Sequence, residues 1–490
     1  MTLEAADSMK FRPNVEQIDP SKNFDYVPNS EKLKYNIFFE TPIEIVEAVI
    51  VPYDVYKMEK TIESKTRTIS FYGWDNLKVL RISDCQLDQL YWEMFDGLKN
   101  LEHLSLEKNA IKEIPSFSFY GALNIKTLSL SQNQILDLHY KALAGLLQLE
   151  LLDLSNNNLV KLSELTFPPF PKLKIADVSN NPIKNLYPSI FGVLNTTKVL
   201  YLGSEDVPME INAQKPFEHL ESLIYLEIAN VKADLLDQSS FSSLSSLEIL
   251  KIRSGSIALV EFDTFAKMIN LKELHLINCR IEEISMDTFF GAKQLTIIDL
   301  SNNIIAELPP GLFDDQHDLV EINLHNNMLT TLPSDIFKLK SLKMVRLTDN
   351  PWDCNCEMKD WKQSITNKIK SKKIENKCKT NSLIDDKKNC ESKALQTYIF
   401  DHKLSPKCKT PSNLENRSVF YALRKFLKCS PKIISLPTKI PKVQKNAIKD
   451  KMIKHEKKKE IKKKQNTLKY QLFERKNTDT FDNNAMDNSL

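Results

Sequence analysis

The sequence predicts a solenoid of the α/β class, in which short parallel strands stack along one face of a long coil. Three observations support this prediction. Twelve segments fit the template LxxLxLxxNxL, the steps between them are nearly constant, and a phenylalanine recurs at one later position. The segments, numbered here as repeats one to twelve, begin at residues 77, 101, 125, 149, 173, 197, 223, 247, 271, 295, 319 and 342.

The step between starts is 24 residues, except for one step of 26 and a last step of 23. A period of about 20 to 29 residues is typical of leucine-rich repeats. Leucines at template positions 1, 4 and 6 are predicted to turn inward from a short strand. Stacked coils then give a curved horseshoe, with a parallel β-sheet on the concave face and irregular or 3-10 structure on the convex side.

Template position 9 is an asparagine in seven repeats, where an amide can satisfy backbone groups as the chain leaves the strand. We interpret this asparagine column as structural. Its members are Asn109, Asn133, Asn157, Asn181, Asn303, Asn327 and Asn350. Cys85 and Cys279 hold the same position in two other repeats. They are eight coils apart, about 38 Å at about 4.8 Å per strand, so we expect two buried free thiols rather than a disulfide.

A phenylalanine column runs at template position 19, and it is a second apolar column beside the leucines. Its members at that position are Phe95, Phe119, Phe167, Phe191, Phe241, Phe265, Phe289, Phe313 and Phe337, and Phe217 serves the 26-residue coil. With this spacing, residues 77–352 resemble the typical extracellular subclass of leucine-rich repeats, found in Toll-like receptors, Slit-type guidance proteins and secreted insect immune proteins. The resemblance implies a recognition protein active in cell adhesion, receptor signalling or innate immunity.

Charge divides the chain into two parts. Residues 1–350 carry 33 Lys and Arg against 48 Asp and Glu, a net of −15, and residues 351–490 carry 34 against 16, a net of +18. A nucleic-acid site would need a basic stripe, so the acidic repeats favour a protein ligand or co-receptor and no nucleic acid. We expect no cofactor, and the cysteine and histidine spacing does not resemble a zinc site.

Six cysteines follow the last repeat strand: Cys354, Cys356, Cys378, Cys390, Cys408 and Cys429. The motif NPWDCNC at 350–356 and the stretch 408–429 resemble the cysteine-rich C-terminal flanking cap of extracellular leucine-rich-repeat proteins. The resemblance implies that the first two cysteines bond to two later ones. Cys408 and Cys429 are the favoured partners, which leaves Cys378 with Cys390, although Cys378 also lies at a suitable distance from Cys356. Such a cap, at residues 350–429, covers the core that the last coil would expose.

The ends of the chain lack the repeat. Residues 1–42 are polar and contain four prolines, which predicts disorder. Residues 43–76 alternate enough to supply one or two capping strands, without the cysteine pair that is usual in the family. Residues 430–490 form a lysine-rich, largely disordered tail, in which 451–464 holds eight lysines and two glutamates. The alternatives are an electrostatic patch for an anionic lipid, a glycan or, in a protein that is not secreted, a nucleic acid, and a partner helix or coiled coil.

Disulfides indicate an oxidising compartment, so we expect an extracellular or secreted protein. Asn195 and Asn416 begin glycosylation sequons, which agrees with that location. The N-terminus shows no apolar stretch of about 7 to 15 residues, as a signal peptide would, and we interpret the start as incomplete or misplaced. No apolar run reaches about 18 residues, so the sequence predicts no transmembrane segment.

Apolar residues occupy outward strand positions in repeats four to eight, where a polar surface is expected. This apolar stripe consists of Leu151, Ile175, Val199, Tyr201, Tyr225 and Ile249. The same region loses the asparagine, with Glu205, Val231 and Gly255 at position 9, and includes the 26-residue step. An apolar patch with polar surroundings often marks an interface. The alternative is that β-branched residues simply favour strands, or that neighbours shield this position.

One catalytic alternative exists, in which His275 and Asp299 lie side by side at position 5 of adjacent repeats, near Glu273. No nucleophile, phosphate loop or HExxH motif accompanies them, so a polar binding surface is favoured and we expect no enzyme. The sequence thus predicts a recognition protein that binds a protein ligand through its concave face. The alternative is a soluble scaffold subunit, or a receptor ectodomain without its anchor, held to an anionic surface by the lysine-rich tail.

Overall fold

The computed structural model describes residues 71–361, with gaps at 72–73, 93, 163, 165–166, 212–214 and 359–360, and residues 405–427. It also gives the backbone of three earlier strands, Leu3–Ala5, Leu33–Tyr35 and Glu47–Ile50. The chain divides into two compact units, residues 1–428 and 429–490. All the described residues belong to the first unit.

Each repeat contributes one strand to a long sheet, because its alternating leucines bury one side of an extended segment. Neighbouring repeat strands pair in parallel. The twelve strands are Val79–Ile82, His103–Ser105, Thr127–Ser129, Leu151–Asp153, Ile175–Asp177, Val199–Gly203, Tyr225–Leu236, Ile249–Val260, Glu273–Ile277, Ile297–Asp299, Glu321–Asn323 and Met344–Arg346.

The sheet continues towards the N-terminus through Glu47–Ile50, which pairs in parallel with the strand of repeat one. Leu3–Ala5 pairs antiparallel with Leu33–Tyr35 and, at one residue, with Glu47–Ile50. Leu3–Ala5 and Leu33–Tyr35 fall in the segment 1–42, for which the sequence predicts disorder. The other residues of that segment, and most of 43–76, lie outside the described residues.

Turns and short elements return the chain from one strand to the next. The α-helices are Ser189–Val193, Gln238–Phe241 and Val419–Lys425, and the 3-10 helices are Ser334–Lys338, Cys356–Met358 and Ser412–Leu414. Two-residue strands occur at Glu113–Ile114, Asp137–Leu138, Met209–Glu210 and Glu283–Ile284. The predicted fold class, a leucine-rich-repeat solenoid with a long parallel sheet and little helix, is confirmed.

The core lies between the sheet and these returning segments. Leucines and isoleucines at template positions 4 and 6 are buried throughout, as are the phenylalanines of position 19. Rings of adjacent coils stack along much of the column, with centroids 6.0 Å apart for Phe217 and Phe241 and 5.9 Å for Phe241 and Phe265. The column is interrupted in repeat three, where Leu143 holds position 19. Phe71 extends this column by one ring beyond Phe95, at 6.1 Å. Each coil therefore buries its apolar side against both neighbours, as a repeat solenoid requires.

The buried asparagine amides join successive coils. In Asn157, for example, the Nδ2 group donates to the carbonyls of Leu130, Leu154 and Ser155, and Oδ1 accepts from the amide of Ile135. Leu130 and Ile135 belong to the preceding coil, so one side chain satisfies backbone groups of two repeats. The other six asparagines of the column repeat this pattern.

Cysteines take the place of the asparagine in two coils. Cys85 and Cys279 are buried and free of disulfides, as expected. The Cys279 thiol faces the backbone carbonyls of Ile277 and Ile252, at 3.4 and 3.5 Å, which is a weaker version of the amide contact. Burial raises the pKa of Cys279 to about 12. This thiol is therefore a structural group, since the thiolate is the reactive form.

Repeats seven and eight lack the asparagine, and their strands are the two longest of the repeat region. Tyr225–Leu236 and Ile249–Val260 pair in parallel along most of their 12 residues. Direct backbone pairing thus replaces the side-chain amide at the corner of the coil. Gly255 has φ +134°, and a Cβ there would lie 2.2 Å from the carbonyl oxygen of Val231. Only glycine lets the two backbones approach this closely.

The end of the solenoid is closed by tryptophans and a disulfide. Trp352 and Trp361 are buried, with ring centroids 5.3 Å apart, and Trp361 lies 5.2 Å from Phe337, the last ring of the phenylalanine column. Cys354 is bonded to Cys408, with their Cα atoms 5.7 Å apart. Cys356 is also disulfide-bonded. Cys378, Cys390, Cys429 and the tail 430–490 lie outside the described residues, so their predicted pairing and disorder stay predictions.

Candidate functional site

The apolar stripe crosses five adjacent strands in register. Leu151, Ile175, Val199, Tyr225 and Ile249 are direct neighbours from repeat four to repeat eight. Tyr201 adjoins them from position 5 of repeat six, and its ring centroid lies 5.4 Å from that of Tyr225. All six residues predicted for the stripe therefore lie together on the outward side of the sheet.

The stripe is less exposed than its sequence position predicts. Val199 is 8% exposed and Tyr225 is 5% exposed, and the other four are half-buried. The reason is lateral packing: neighbouring strands in a sheet are only about 4.8 Å apart, so large side chains in register cover one another. Shielding by neighbouring side chains therefore explains the low exposure of Val199 and Tyr225. Leu151, Ile175, Tyr201 and Ile249 still present part of their surface to solvent.

A row of polar side chains at position 5 runs beside the stripe. The Tyr225 hydroxyl donates to the Glu227 carboxylate, which also pairs with Arg253. Lys251 Nζ lies 5.4 Å from the centroid of the Tyr225 ring, at cation–π distance. Burial and then the Glu227 carboxylate raise the pKa of Tyr225, so this phenol stays neutral at physiological pH.

Two aspartates continue this row on the opposite side of the tyrosines. Asp153 and Asp177 are in register on adjacent strands, and Asp177 is in register with Tyr201. Asp177 accepts from the amide and hydroxyl of Ser179, at 2.9 and 2.6 Å. Burial, with a further contribution from the nearby Asp153 and Glu227 carboxylates, raises the pKa of Asp177 to about 6. At neutral pH the Asp177 carboxylate is ionised, although its surroundings disfavour the charge.

The catalytic alternative does not form a hydrogen-bonded pair. His275 Nε2 contacts Glu273 on its own strand, at 3.3 Å, and this hydrogen bond lowers the pKa of Glu273. Asp299 is in register with His275 but accepts instead from the Nδ2 group of Asn323, at 2.9 Å, and from the amide of Ser301. The three residues are part of a polar surface on the sheet.

The two sequon asparagines, Asn195 and Asn416, are both exposed. Thr197 of the first sequon is buried at template position 1, where most repeats have leucine. The amide side chains that would carry glycans therefore face solvent, and glycosylation of both stays a prediction.

Sequence reasoning did not single out an aromatic group on the returning segments of repeats one to three. Trp92, Tyr120 and Tyr140 are all exposed, and Phe117 is partly exposed. Lys141 Nζ lies 5.0 Å from the Tyr140 ring centroid and 5.7 Å from that of Phe117. Large apolar residues at position 16 of repeats one and three were the available signal, because that position lies between the inward columns at positions 14 and 19.

Within the part of the chain that the structure describes, no helix is long and apolar enough to cross a membrane. In the same residues, no group of three or more His, Cys, Asp or Glu side chains is placed to hold a metal ion.

Comparison with known proteins agrees with the fold. The family model described as "Leucine rich repeat" matches residues 64–111, 100–159, 245–305 and 293–351. These matches leave out residues 160–244, which include two of the three repeats that lack both the asparagine and a cysteine at position 9. No curated protein sequence matches the chain.

Two solved structures align with part of the chain. An internalin (inlF) from Listeria monocytogenes aligns with 20% identity over 62% of this chain and 81% of its own, at a TM-score of 0.46. A TLR13–ssRNA13 complex aligns with 23% identity over 59% of this chain and 49% of that one, at a TM-score of 0.44. The chain thus spans about half of the TLR13 chain, and both are similar to it in fold alone.

Proposed function

We propose that this leucine-rich-repeat protein is a non-enzymatic, extracellular recognition protein that binds a protein ligand through the outward side of its sheet. The main observation in support is the apolar stripe, which crosses five strands in register and is bordered by charged side chains. Partly exposed apolar residues with a polar border are typical of protein interfaces, and Tyr residues are frequent among those that contribute most to binding. The role lies in adhesion, receptor signalling or innate-immune recognition.

The charge of the face supports a protein rather than a nucleic acid. Asp153 and Asp177 lie beside the stripe, and Glu227 is close to both tyrosines. These carboxylates would repel phosphates, whereas a nucleic-acid site needs a continuous row of cations. Lys251 and Arg253 are positive, but each already contacts Tyr225 or Glu227. Mixed charge of this kind suits a protein surface.

The extracellular location is supported by the cap. The Cys354–Cys408 disulfide links residues 54 positions apart, and Cys356 is disulfide-bonded as well. Disulfides of this kind persist in oxidising compartments and are rare in the cytosol. The exposed sequon asparagines Asn195 and Asn416 agree with the same location.

A binding screen against a library of secreted and cell-surface ectodomains tests the proposal. The variant carries Leu151→Ser and Ile175→Ser together, since both residues are half-buried on the sheet face. The matched control carries Leu147→Ser and Val160→Ser, which are 53% and 58% exposed and lie away from the sheet strands, Leu147 on repeat three and Val160 on repeat four.

We expect partners of the wild-type protein to lose at least about tenfold in affinity for the sheet-face variant and to bind the control unchanged. Thermal unfolding of both variants checks that the solenoid is intact. Partners that bind the sheet-face variant and the wild type equally would show that the ligand uses another surface.

A further inference from the structure

On one side of the tyrosine pair, the charges of the sheet face are balanced within the chain. Lys251 lies over the Tyr225 ring, and Arg253 pairs with Glu227. Tyr225 in turn contacts Tyr201, which lies on the far side from Lys251 in strand order. The strand of repeat eight thus supplies a cation to an aromatic ring and another to a carboxylate.

On the other side, two carboxylates have only neutral partners. Asp153 accepts from the Ser129 hydroxyl at 3.0 Å and from the Ser155 amide at 2.9 Å, and Asp177 accepts from Ser179. Across the described residues, no Lys, Arg or His nitrogen lies within ion-pair distance of either aspartate, and no cation lies over the Tyr201 ring. Tyr201 is in register with Asp177 on one neighbouring strand and with Glu227 on the other.

Elsewhere along the sheet, glutamates have a cation from the chain itself. Glu102 pairs with Lys126 at 2.5 Å, Glu150 with Lys174 at 2.6 Å, and Glu248 with Lys272 at 2.8 Å. In each of these three pairs, opposite charges lie at position 2 of adjacent coils and cancel. At position 5, Asp153 and Asp177 are instead two like charges in register, and neither has a cation in an ion pair within the described part of the chain.

Asp299 also lacks a cation among the described residues, and it makes a useful contrast. Its neighbours in register are His275 and Asn323, and the Asn323 amide donates to it. No second carboxylate is in register beside it. Asp299 therefore has the same template position and the same serine contact as Asp177, without the adjoining acid.

We propose that Asp153, Asp177 and Tyr201 form a subsite for one lysine or arginine side chain of the protein ligand. This inference rests on the proposed function and names the chemistry of one contact. The carboxylates face the cationic head, and the Tyr201 ring binds it as the Tyr225 ring binds Lys251. The adjacent Leu151 and Ile175 contact the methylene stem. An apolar strip beside an acidic pair matches a side chain with an apolar stem and a charged end.

Panning a random peptide library on the full chain tests the subsite at neutral pH. Selected peptides are measured against the wild type, Asp177→Asn, Asp153→Asn and the matched control Asp299→Asn. Each peptide is also synthesised with norleucine in place of lysine, or citrulline in place of arginine. Thermal unfolding of each variant shows whether the fold is retained.

The expected result is that selected peptides share a lysine or arginine at one position. Asp177→Asn, Asp153→Asn and the neutral peptide each lower affinity about tenfold or more, and Asp299→Asn does not. The losses from Asp177→Asn and from the neutral peptide are not additive, because both remove the same contact.

Two outcomes separate this inference from the function on which it rests. Peptides that lose binding to the Leu151→Ser and Ile175→Ser variant, but show no cationic preference and no effect of Asp177→Asn, overturn the subsite and leave the proposed function standing. Peptides that bind that variant as tightly as the wild type, or a library that yields none, count against both.

Discussion

Replacing Asp177 by asparagine should stabilise the protein at neutral pH. Burial, Asp153 and Glu227 raise the pKa of Asp177 from 3.8 to about 6. A shift of about 2 units at about 1.4 kcal/mol per unit corresponds to about 3 kcal/mol. Because the pKa of Asp177 is higher in the folded protein than in the unfolded chain, its protonated form favours folding by this amount. The wild-type protein has the contribution in full below about pH 4 and loses it as the pH rises through 6. Asparagine carries no charge at either pH.

Urea denaturation of the wild type and of Asp177→Asn, at pH 4 and pH 7, measures the effect. The variant is expected to be more stable by up to about 3 kcal/mol at pH 7, and the difference should nearly vanish at pH 4. Asp299→Asn is the control and should show no comparable gain. If Asp177→Asn is equally or less stable than the wild type at both pH values, the neighbouring groups do not oppose the charge and the reasoning is refuted.

Three further predictions follow from the coil corner, the cap and the tail. Gly255→Ala should lower stability by more than about 1 kcal/mol in thermal unfolding, since its Cβ would meet a backbone carbonyl. Gly192→Ala should change little, because its Cβ would only reach ordinary contact with the His219 ring, at 3.8 Å. Replacing Cys354 and Cys408 by serine should cost about 2 to 4 kcal/mol, and non-reducing peptide mapping that finds all cap cysteines as free thiols would contradict the extracellular proposal. Deleting residues 445–475 should abolish salt-sensitive binding to heparin or anionic liposomes, and binding that survives would remove that role of the tail.

The sequence predicted the fold well because the repeat commits most of its residues to one task. Leucines, asparagines and phenylalanines each recur at one position, and each makes the same contact in successive coils. Phe217 shows how far this extends: it lies in the 26-residue coil, yet its ring stacks with Phe241 at 6.0 Å. The extra residues are absorbed elsewhere in the coil.

The irregular coils were harder to predict. The sequence shows that Val231 and Gly255 depart from the asparagine column, but it does not show what replaces the amide. The answer is a continuous backbone ladder between Tyr225–Leu236 and Ile249–Val260. Such pairing depends on how closely two coils approach each other. Glycine permits the close approach, but no local sequence pattern encodes it.

The sequence predicted that the stripe residues are neighbours on the sheet, but not how much of their surface is exposed. Tyr225 was predicted to be exposed in the stripe, yet Tyr201, Lys251 and the neighbouring strands cover it. Burial at this position depends on side-chain size in the two adjoining coils rather than on the repeat itself. Burial is also the main reason that the pKa of Asp177 is raised, and the Asp153 and Glu227 carboxylates, which come from other coils, add to it.

Site-specific photo-crosslinking tests the central claim most directly. A photoreactive amino acid is placed at Ile175 on the sheet face and, in a separate protein, at the exposed Val160 away from it, and each is irradiated with a partner from the ectodomain screen. We expect a covalent adduct from position 175 and none from position 160. Adducts from position 160 alone would contradict the claim that the sheet face of repeats four to eight binds the ligand.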